Sequence, residues 1–134
     1  MKSILDTANV ARLATSDNDQ PYLVPVVFVF DGIHIYIPID TKKKMSDMPG
    51  DLKRVRNILK NPKVAFLIDR YDDDDWMKLY FIMIIGKASI LPGQSCGEAF
   101  EKLSAKYPQY RTTTGYRNMC IKIKPERITV WQNS

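Results

Sequence analysis

Apolar residues follow two periods along the chain, and these periods predict both strands and helices. Continuous apolar runs are typical of strands that are covered on both faces, and they lie at residues 22–30 and 64–68. A long strand interrupted by Gly86 is predicted at residues 78–91. After Asp31-Gly32, a two-residue hairpin signal, isoleucines alternate with other residues up to Ile39, which indicates a half-buried strand. Further strands are predicted at residues 10–15, 119–123 and 127–131.

Helical spacing is confined to three segments. A short helix is predicted at residues 3–9. Leu52, Val55, Ile58 and Leu59 share one helical face before Asn61-Pro62 ends the segment. A third helix is predicted after residue 95, where Ser95 and Glu98 have capping-box spacing, and Pro108 closes it. About six strands with short connections predict a mainly β α+β fold, a small antiparallel barrel with flanking helices in one domain, residues 1–134.

Composition and charge narrow the possible functions. The 134 residues suit a single domain, and no apolar stretch is long enough to cross a bilayer. Residues 42–63 hold eight lysines and arginines against two aspartates, so the net charge of +5 comes from this one segment. This pattern favours a local anion site over a general nucleic-acid surface. Without an apolar export signal, and with Cys96 and Cys120 as two idle thiols, we expect a cytoplasmic protein.

Few residues suggest chemistry carried by the protein itself. His34 is the one histidine, the Asp72–Asp75 run lacks the ligand spacing of a calcium loop, and no glycine-rich phosphate loop is present. We therefore expect no metal site, assign no catalytic residue, and expect a cofactor to supply any reactive group. The candidate phosphate ligands are Lys42, Lys43 and Lys44, together with Lys53 and Arg54 on the predicted helix.

Several short motifs, in order, resemble the pyridoxamine 5′-phosphate oxidase-like superfamily of FMN-binding split β-barrels. They are Val10-Ala11-Arg12-Leu13-Ala14-Thr15, Val24-Pro25-Val26, Asp31-Gly32, Ile35-Tyr36, Asn61-Pro62-Lys63-Val64 and Gly86-Lys87-Ala88. Residues 40–44, 52–58 and 69–72 further resemble a subgroup of deazaflavin (F420)-dependent enzymes. The resemblance implies a six-stranded antiparallel split barrel, a homodimer with cofactor sites at the interface, and FMN or F420 as the cofactor.

Carried over residue by residue, the resemblance also implies a site. The backbone of the strand with Val24, Pro25, Val26 and Val27 would lie along the cofactor ring. Tyr36 and Ile37 would lie at the ring and the ribityl chain. Lys42 and Lys43 would hold the phosphate, with Lys44 as a close competitor.

The same resemblance departs from the family pattern at one informative position. Val24 stands where members that oxidise pyridoxamine phosphate have an arginine, and valine cannot bind phosphate. We therefore expect a flavin- or deazaflavin-dependent oxidoreductase acting on another small organic substrate. The alternatives are a flavin- or haem-binding protein without turnover and, less favoured, a nucleic-acid-binding barrel that uses the basic segment with Tyr36, Tyr71 and Trp76.

Overall fold

Antiparallel pairing joins seven strands into one sheet. The computed structural model describes residues 2–39, 52–111 and 119–133; the loop expected at residues 42–50 lies outside them. The strands are β1 (Ala11–Asp17), β2 (Gln20–Val26), β3 (Val29–Phe30), β4 (Ile35–Pro38), β5 (Lys63–Arg70), β6 (Tyr80–Pro92) and β7 (Met119–Gln132). The helices are α1 (Lys2–Thr7), α2 (Lys53–Lys60) and α3 (Gly97–Lys106), and short 3-10 turns occupy Trp76–Lys78, Gly93–Ser95 and Pro108–Arg111.

The strand order is β2-β1-β5-β6-β7-β4-β3, with every pair antiparallel. The expected mainly β antiparallel fold with flanking helices is therefore confirmed. The strand count rises from six to seven because the run at residues 22–30 is broken after Val26, and only Val29 and Phe30 resume pairing as β3.

The core lies on one face of the sheet and beneath α2. Alternate residues of β5 and β6 are buried there, including Phe66, Ile68, Ile82 and Ile84. Each such side chain contributes roughly 1.5–3 kcal/mol when it is fully buried. Period-two alternation is the pattern that fixes the register of these strands.

The last strand is longer than the sequence pattern predicted. Residues 119–123 and 127–131 were expected as two strands separated by Pro125, but they form the single strand β7. The pairing of β7 with β6 is irregular beside Pro125, because Ile85 pairs with Arg127 whereas Gly86 pairs with Pro125. Glu126 therefore has no partner and is the extra residue of a β-bulge. Strands tolerate proline at a bulge, which explains why Pro125 does not end β7.

Two local expectations are corrected at element ends. The Asp31-Gly32 hairpin is a longer turn, because the Asp31 carboxylate accepts hydrogen bonds from the backbone N–H groups of Ile33 (2.8 Å) and His34 (2.6 Å), so β4 begins only at Ile35. The capping box does not form: α3 begins at Gly97, after Cys96, and no side chain caps it.

A third expectation is corrected on the face of α2. The helical face expected to be buried turns slightly, so Leu59 is 67% exposed whereas Asn57 is 1% exposed. This rotation gives a polar side chain the buried position that the spacing had assigned to leucine.

Candidate functional site

Strand β2, which contains most of the expected ring contacts, lies at an edge of the sheet. It pairs with β1 on one side and with no other strand among residues 2–39, 52–111 and 119–133. Val24 is half-buried, Pro25 is exposed and Val26 is buried. An edge strand tolerates a proline and presents unpaired backbone groups, so this edge suits a planar ligand lying against the backbone.

The backbone at Phe28, just beyond this edge, is already bound by α3 and the residue that follows it. The Tyr107 hydroxyl accepts a hydrogen bond from the Phe28 N–H at 3.2 Å, and the Lys106 Nζ donates one to the Phe28 carbonyl at 3.0 Å. The Phe28 ring is fully buried, 5.0 Å from the Phe66 ring in an edge-on contact. The edge available to a ligand therefore ends at Val27.

Lys106 is held over an aromatic ring by the same arrangement. Its Nζ lies 3.7 Å from the centre of the Phe28 ring, a cation–π contact. Burial nevertheless lowers the pKa of Lys106 to about 8, although the Asp6 carboxylate acts in the opposite direction. Sequence reasoning missed this group, because Lys106 and Phe28 are 78 residues apart.

Strand β4 places Tyr36 and Ile37 in different surroundings. Ile37 is buried in the core, whereas the Tyr36 side chain lines a cavity of about 340 Å³ beside α3. The other residues lining this cavity are Asp31, Gln94, Ser95, Gly97, Glu98, Ala99 and Lys102. None of residues 24–27 and no part of α2 lines it, so within one chain Tyr36 and the edge of β2 are not brought into one cavity.

Tyr36 and Asp31 perturb each other in this cavity. Burial, the charge of the neighbouring Asp31 carboxylate and hydrogen bonding to it raise the pKa of Tyr36. Burial raises the pKa of Asp31, but hydrogen bonds from the His34 and Ile33 N–H groups outweigh it and bring the pKa below its usual value. The pair therefore stays as a neutral phenol beside a carboxylate at neutral pH.

The basic segment is only partly described. Lys42, Lys43 and Lys44 lie outside the described residues. Lys53, at the start of α2, faces Asp17 with a distance of 3.8 Å between Nζ and carboxylate oxygen, and Lys60 faces the same carboxylate at 3.5 Å. Asp17 thus offsets part of the charge that the sequence had assigned to a phosphate.

Polar contacts fix α2 on the end of β1. The Asn57 amide donates a hydrogen bond to the Thr15 hydroxyl at 2.9 Å, and both side chains are buried. The Asn61 amide donates to the Ser16 hydroxyl at 3.0 Å. These bonds dock α2 on the end of β1, and the contact with Asp17 places Lys53 near the β1–β2 hairpin.

A half-buried apolar surface covers the face of the sheet opposite the core. Met83 lies between its cross-strand partners Leu67 and Thr129, and Phe81 stacks on Trp131 with a 15° angle between the rings, 6.0 Å apart. Trp131 remains 44% exposed. Trp131 reaches this face because β7 continues past Pro125 as one strand. We call Leu67, Phe81, Met83, Ile85 and Trp131 the outer apolar face.

The two cysteines are joined rather than separate. Cys96 and Cys120 form a disulfide with their Cα atoms 6.4 Å apart, and both are buried. The expectation of two idle thiols is therefore wrong: the start of α3 packs against the start of β7, which brings together residues 24 positions apart. The cysteine count then gives no argument for a reducing compartment.

Within the described ranges, no cluster of three or more histidine, cysteine, aspartate or glutamate side chains has the geometry to hold a metal ion. The helices in those ranges are also too short or too polar to span a membrane.

The sheet order and the open edge of β2 define a split β-barrel. A sequence profile described as pyridoxamine 5′-phosphate oxidase matches residues 1–132, so the chain belongs to this family. The fold class and family expected from the motifs are confirmed. None of the curated proteins compared with the chain matches it.

Solved structures show the same fold. A candidate pyridoxamine 5′-phosphate oxidase from Listeria innocua is 26% identical, with a TM-score of 0.72 over 99% of this chain and 95% of that one. An FAD-binding protein from Mesorhizobium loti is 18% identical, with a TM-score of 0.68 over 96% and 89%. An F420 reductase is 20% identical, with a TM-score of 0.68 over 96% and 94%.

The described residues fit a flavin-type ring in two respects. The edge of β2 pairs with no second strand in the described ranges, and the outer apolar face, which β1 separates from that edge within one chain, supplies the stacked rings of Phe81 and Trp131. Val24 offers only an apolar side chain, so a substrate phosphate would find no cation there.

Proposed function

We propose that this protein is a homodimeric oxidoreductase that binds FMN or the deazaflavin F420 and transfers hydride to or from a small organic substrate. The family match over residues 1–132 carries the proposal. The names of two structural neighbours, an FAD-binding protein and an F420 reductase, are consistent with a flavin-type cofactor. Oxidation of pyridoxamine phosphate itself is disfavoured by Val24.

In this proposal the chain binds the cofactor, orients its ring and shields it from water. When bound, the cofactor supplies hydride transfer. The backbone of Val24–Val27 would hold one edge of the ring, and the basic segment with Lys42 and Lys43 would neutralise the phosphate. Apolar side chains around the ring would exclude water.

The homodimer is proposed because the outer apolar face needs a cover. A contiguous exposed apolar surface on a small protein usually marks an interface. Twofold pairing of this face with itself would bury Met83 and Trp131 and place the two β2 edges close to a common interface. It would also allow Tyr36 of one chain to approach the β2 edge of the other, a proximity that one chain alone does not provide.

The dimer is tested by Met83→Lys, matched with Met77→Lys, which introduces the same charge at an exposed turn residue. Sedimentation should give a dimer for the natural protein and for Met77→Lys, and a monomer for Met83→Lys. A natural protein that sediments as a monomer at micromolar concentration with cofactor bound would contradict the dimer.

The cofactor is tested first by the absorbance spectrum and mass of any molecule that copurifies with the full chain. Titrations with FMN, riboflavin and F420 then rank the ligands. Lys42→Ala/Lys43→Ala should weaken FMN at least about tenfold, since each charge-assisted contact contributes roughly 1.5–3 kcal/mol. Riboflavin, which has no phosphate, should be nearly unaffected.

The matched control is Lys60→Ala/Lys78→Ala, which removes the same charge from exposed positions. Equal weakening of FMN by both double variants would mean that the lysines act only as a general positive field. Absence of binding by FMN and F420 at high micromolar concentration would overturn the proposed cofactor. Reduction of the bound cofactor by candidate substrates separates an enzyme from a binding protein.

A further inference from the structure

Three lysines form a row across the middle of the sheet. Lys63 of β5 is the cross-strand partner of Lys87 of β6, and Lys87 is the partner of Lys124 of β7. Direct partners point to the same face, so the three ammonium groups lie on one side of the sheet. With an interstrand spacing of about 4.8 Å, the row spans roughly 10 Å.

Two further side chains complete a basic surface. Lys122 of β7, two residues before Lys124, points to the same face and lies between its cross-strand partners Tyr36 and Ser89. Lys87, Lys122 and Lys124 line one cavity of about 290 Å³ with His34, Ala88 and Ser89. We call Lys63, Lys87, Lys122, Lys124 and His34 the basic band.

Like charges at directly opposed positions destabilise a sheet. Within the described chain, one acidic residue forms an ion pair with the basic band: the Glu126 carboxylate lies 3.9 Å from the Lys87 Nζ. Lys63, Lys122 and Lys124 have no ion pair there. Four lysines against one glutamate leave a concentrated positive potential, which a bound anion would relieve.

The β7 bulge helps to build this surface. Glu126 is the extra residue, and the register on either side of it keeps Arg127 and Lys124 on the same face of the sheet. Gly86 permits the close approach, because a Cβ there would overlap the Lys124 carbonyl oxygen. Bulges commonly redirect side chains next to binding sites.

We propose that the basic band is a binding site for a small soluble phosphate compound, such as pyrophosphate or a phosphate monoester. Lysine ammonium groups suit phosphate as point charges with three donors each. The cavity lies at the small end of the range for ligand pockets, which suits a compact anion rather than a polymer. The proposal does not rest on the proposed function, since none of these residues is among those expected to hold the cofactor. The basic band adjoins that site, because Lys122 is the cross-strand partner of Tyr36, and it lies on the same face of the sheet as the outer apolar face.

The test is calorimetric titration of the full chain with pyrophosphate and with glycerol 3-phosphate. Lys122→Gln/Lys124→Gln should weaken binding at least about tenfold, the loss expected when charge-assisted contacts are removed. Glu126→Gln should act in the opposite direction and strengthen binding, because it removes the one competing carboxylate. Lys60→Gln/Lys78→Gln, which has the same change in net charge elsewhere, should bind within about twofold of the natural protein.

Three results would overturn the site. The first is equal weakening by the two lysine double variants, and the second is a Glu126→Gln variant that binds no more tightly. The third is binding of single-stranded DNA or phosphatidic acid vesicles that depends on the basic band, with no binding of the small phosphates at millimolar concentration. Circular dichroism melting of each variant confirms that it is folded.

Discussion

The Tyr107 hydroxyl lies between three backbone groups, and Phe28 contributes two of them. It accepts a hydrogen bond from the Phe28 N–H at 3.2 Å, and its proton goes to the carbonyl of Asn9 at 2.9 Å or of Phe28 at 3.1 Å. Phe28 lies in the gap between β2 and β3, where no ladder bond satisfies its backbone. Tyr107 therefore replaces the strand partner that this position lacks.

Tyr107→Phe should destabilise the protein by about 1–3 kcal/mol, because a part-buried N–H loses its acceptor while the ring packing is kept. Urea unfolding measures this loss. Tyr71→Phe is the matched control: its hydroxyl donates a hydrogen bond to the exposed Asp73 carboxylate, so its cost should stay below about 0.5 kcal/mol. Equal costs for the two variants would contradict the bridging role of Tyr107.

Lys106 should make the free energy of unfolding depend on pH in the alkaline range. Burial lowers its pKa in the folded state to about 8, whereas the unfolded chain keeps the ordinary value of 10.5. Between these values the unfolded state binds more protons, so the contribution of Lys106 to stability rises as the pH rises through about 8.

The free energy of unfolding, measured from about pH 7 to about pH 9.5, checks this sign. As the pH rises, the free energy of unfolding of the natural protein should increase relative to that of Lys106→Met. Lys102→Met, an exposed change on the same helix, should leave the corresponding difference flat. A Lys106→Met difference that stays constant or shrinks would mean that Lys106 remains charged throughout.

Strand positions were predictable where apolar runs of strand length occur in the sequence. Residues 64–68 lie in β5, and the strand predicted at residues 78–91 is β6, which spans Tyr80–Pro92. The break after Val26 was not predictable, because every residue from 22 to 30 except Pro25 is apolar and no local signal marks Phe28. The groups that stabilise the break, Lys106 and Tyr107, lie about 80 residues away.

The site was less predictable than the fold for a similar reason. The sequence shows where a basic residue lies, but it does not show which acidic residue pairs with it. Lys53 faces Asp17 because α2 docks on β1, and this docking is a tertiary contact. The basic band arises likewise from strand register, which places Lys63, Lys87 and Lys124 side by side. The roles of Lys42, Lys43 and Lys44 stay predictions.

The buried bond between Asn57 and Thr15 should show strong coupling. Asn57→Ala alone leaves the Thr15 hydroxyl without this partner, and Thr15→Val alone leaves the Asn57 amide without its acceptor, so each should cost about 1–3 kcal/mol. The double variant should cost less than the sum by at least about 0.5 kcal/mol. Additive costs in urea unfolding would show that the two side chains act independently.

Reduction of the Cys96–Cys120 disulfide should destabilise the fold. Chain entropy for a 24-residue separation predicts a loss of about 3.5 kcal/mol. Unfolding with and without reductant measures the loss, and Cys96→Ala/Cys120→Ala is the control that should not respond to reductant. A natural protein equally stable in both conditions would show that the disulfide contributes nothing to stability.

Gly86 and Gly97 should respond in opposite directions to the same substitution. A Cβ at Gly86 would overlap the Lys124 carbonyl oxygen, and its neighbour is backbone at the β7 bulge, which cannot rotate away as a side chain can. Gly86→Ala should therefore cost about 1–3 kcal/mol or more. A Cβ at Gly97, the first residue of α3, would meet nothing within 4 Å. Gly97→Ala should therefore stabilise the protein by up to about 1 kcal/mol through reduced freedom of the unfolded chain.

Thermal and urea unfolding of both glycine variants measure these opposite effects. Because Gly97→Ala adds the same methyl group in open space, it isolates the cost of the overlap at Gly86 from the general effect of replacing glycine. A neutral Gly86→Ala would mean that β7 shifts away from β6 at little cost, and it would remove the geometric basis for the close pairing of Lys87 with Lys124.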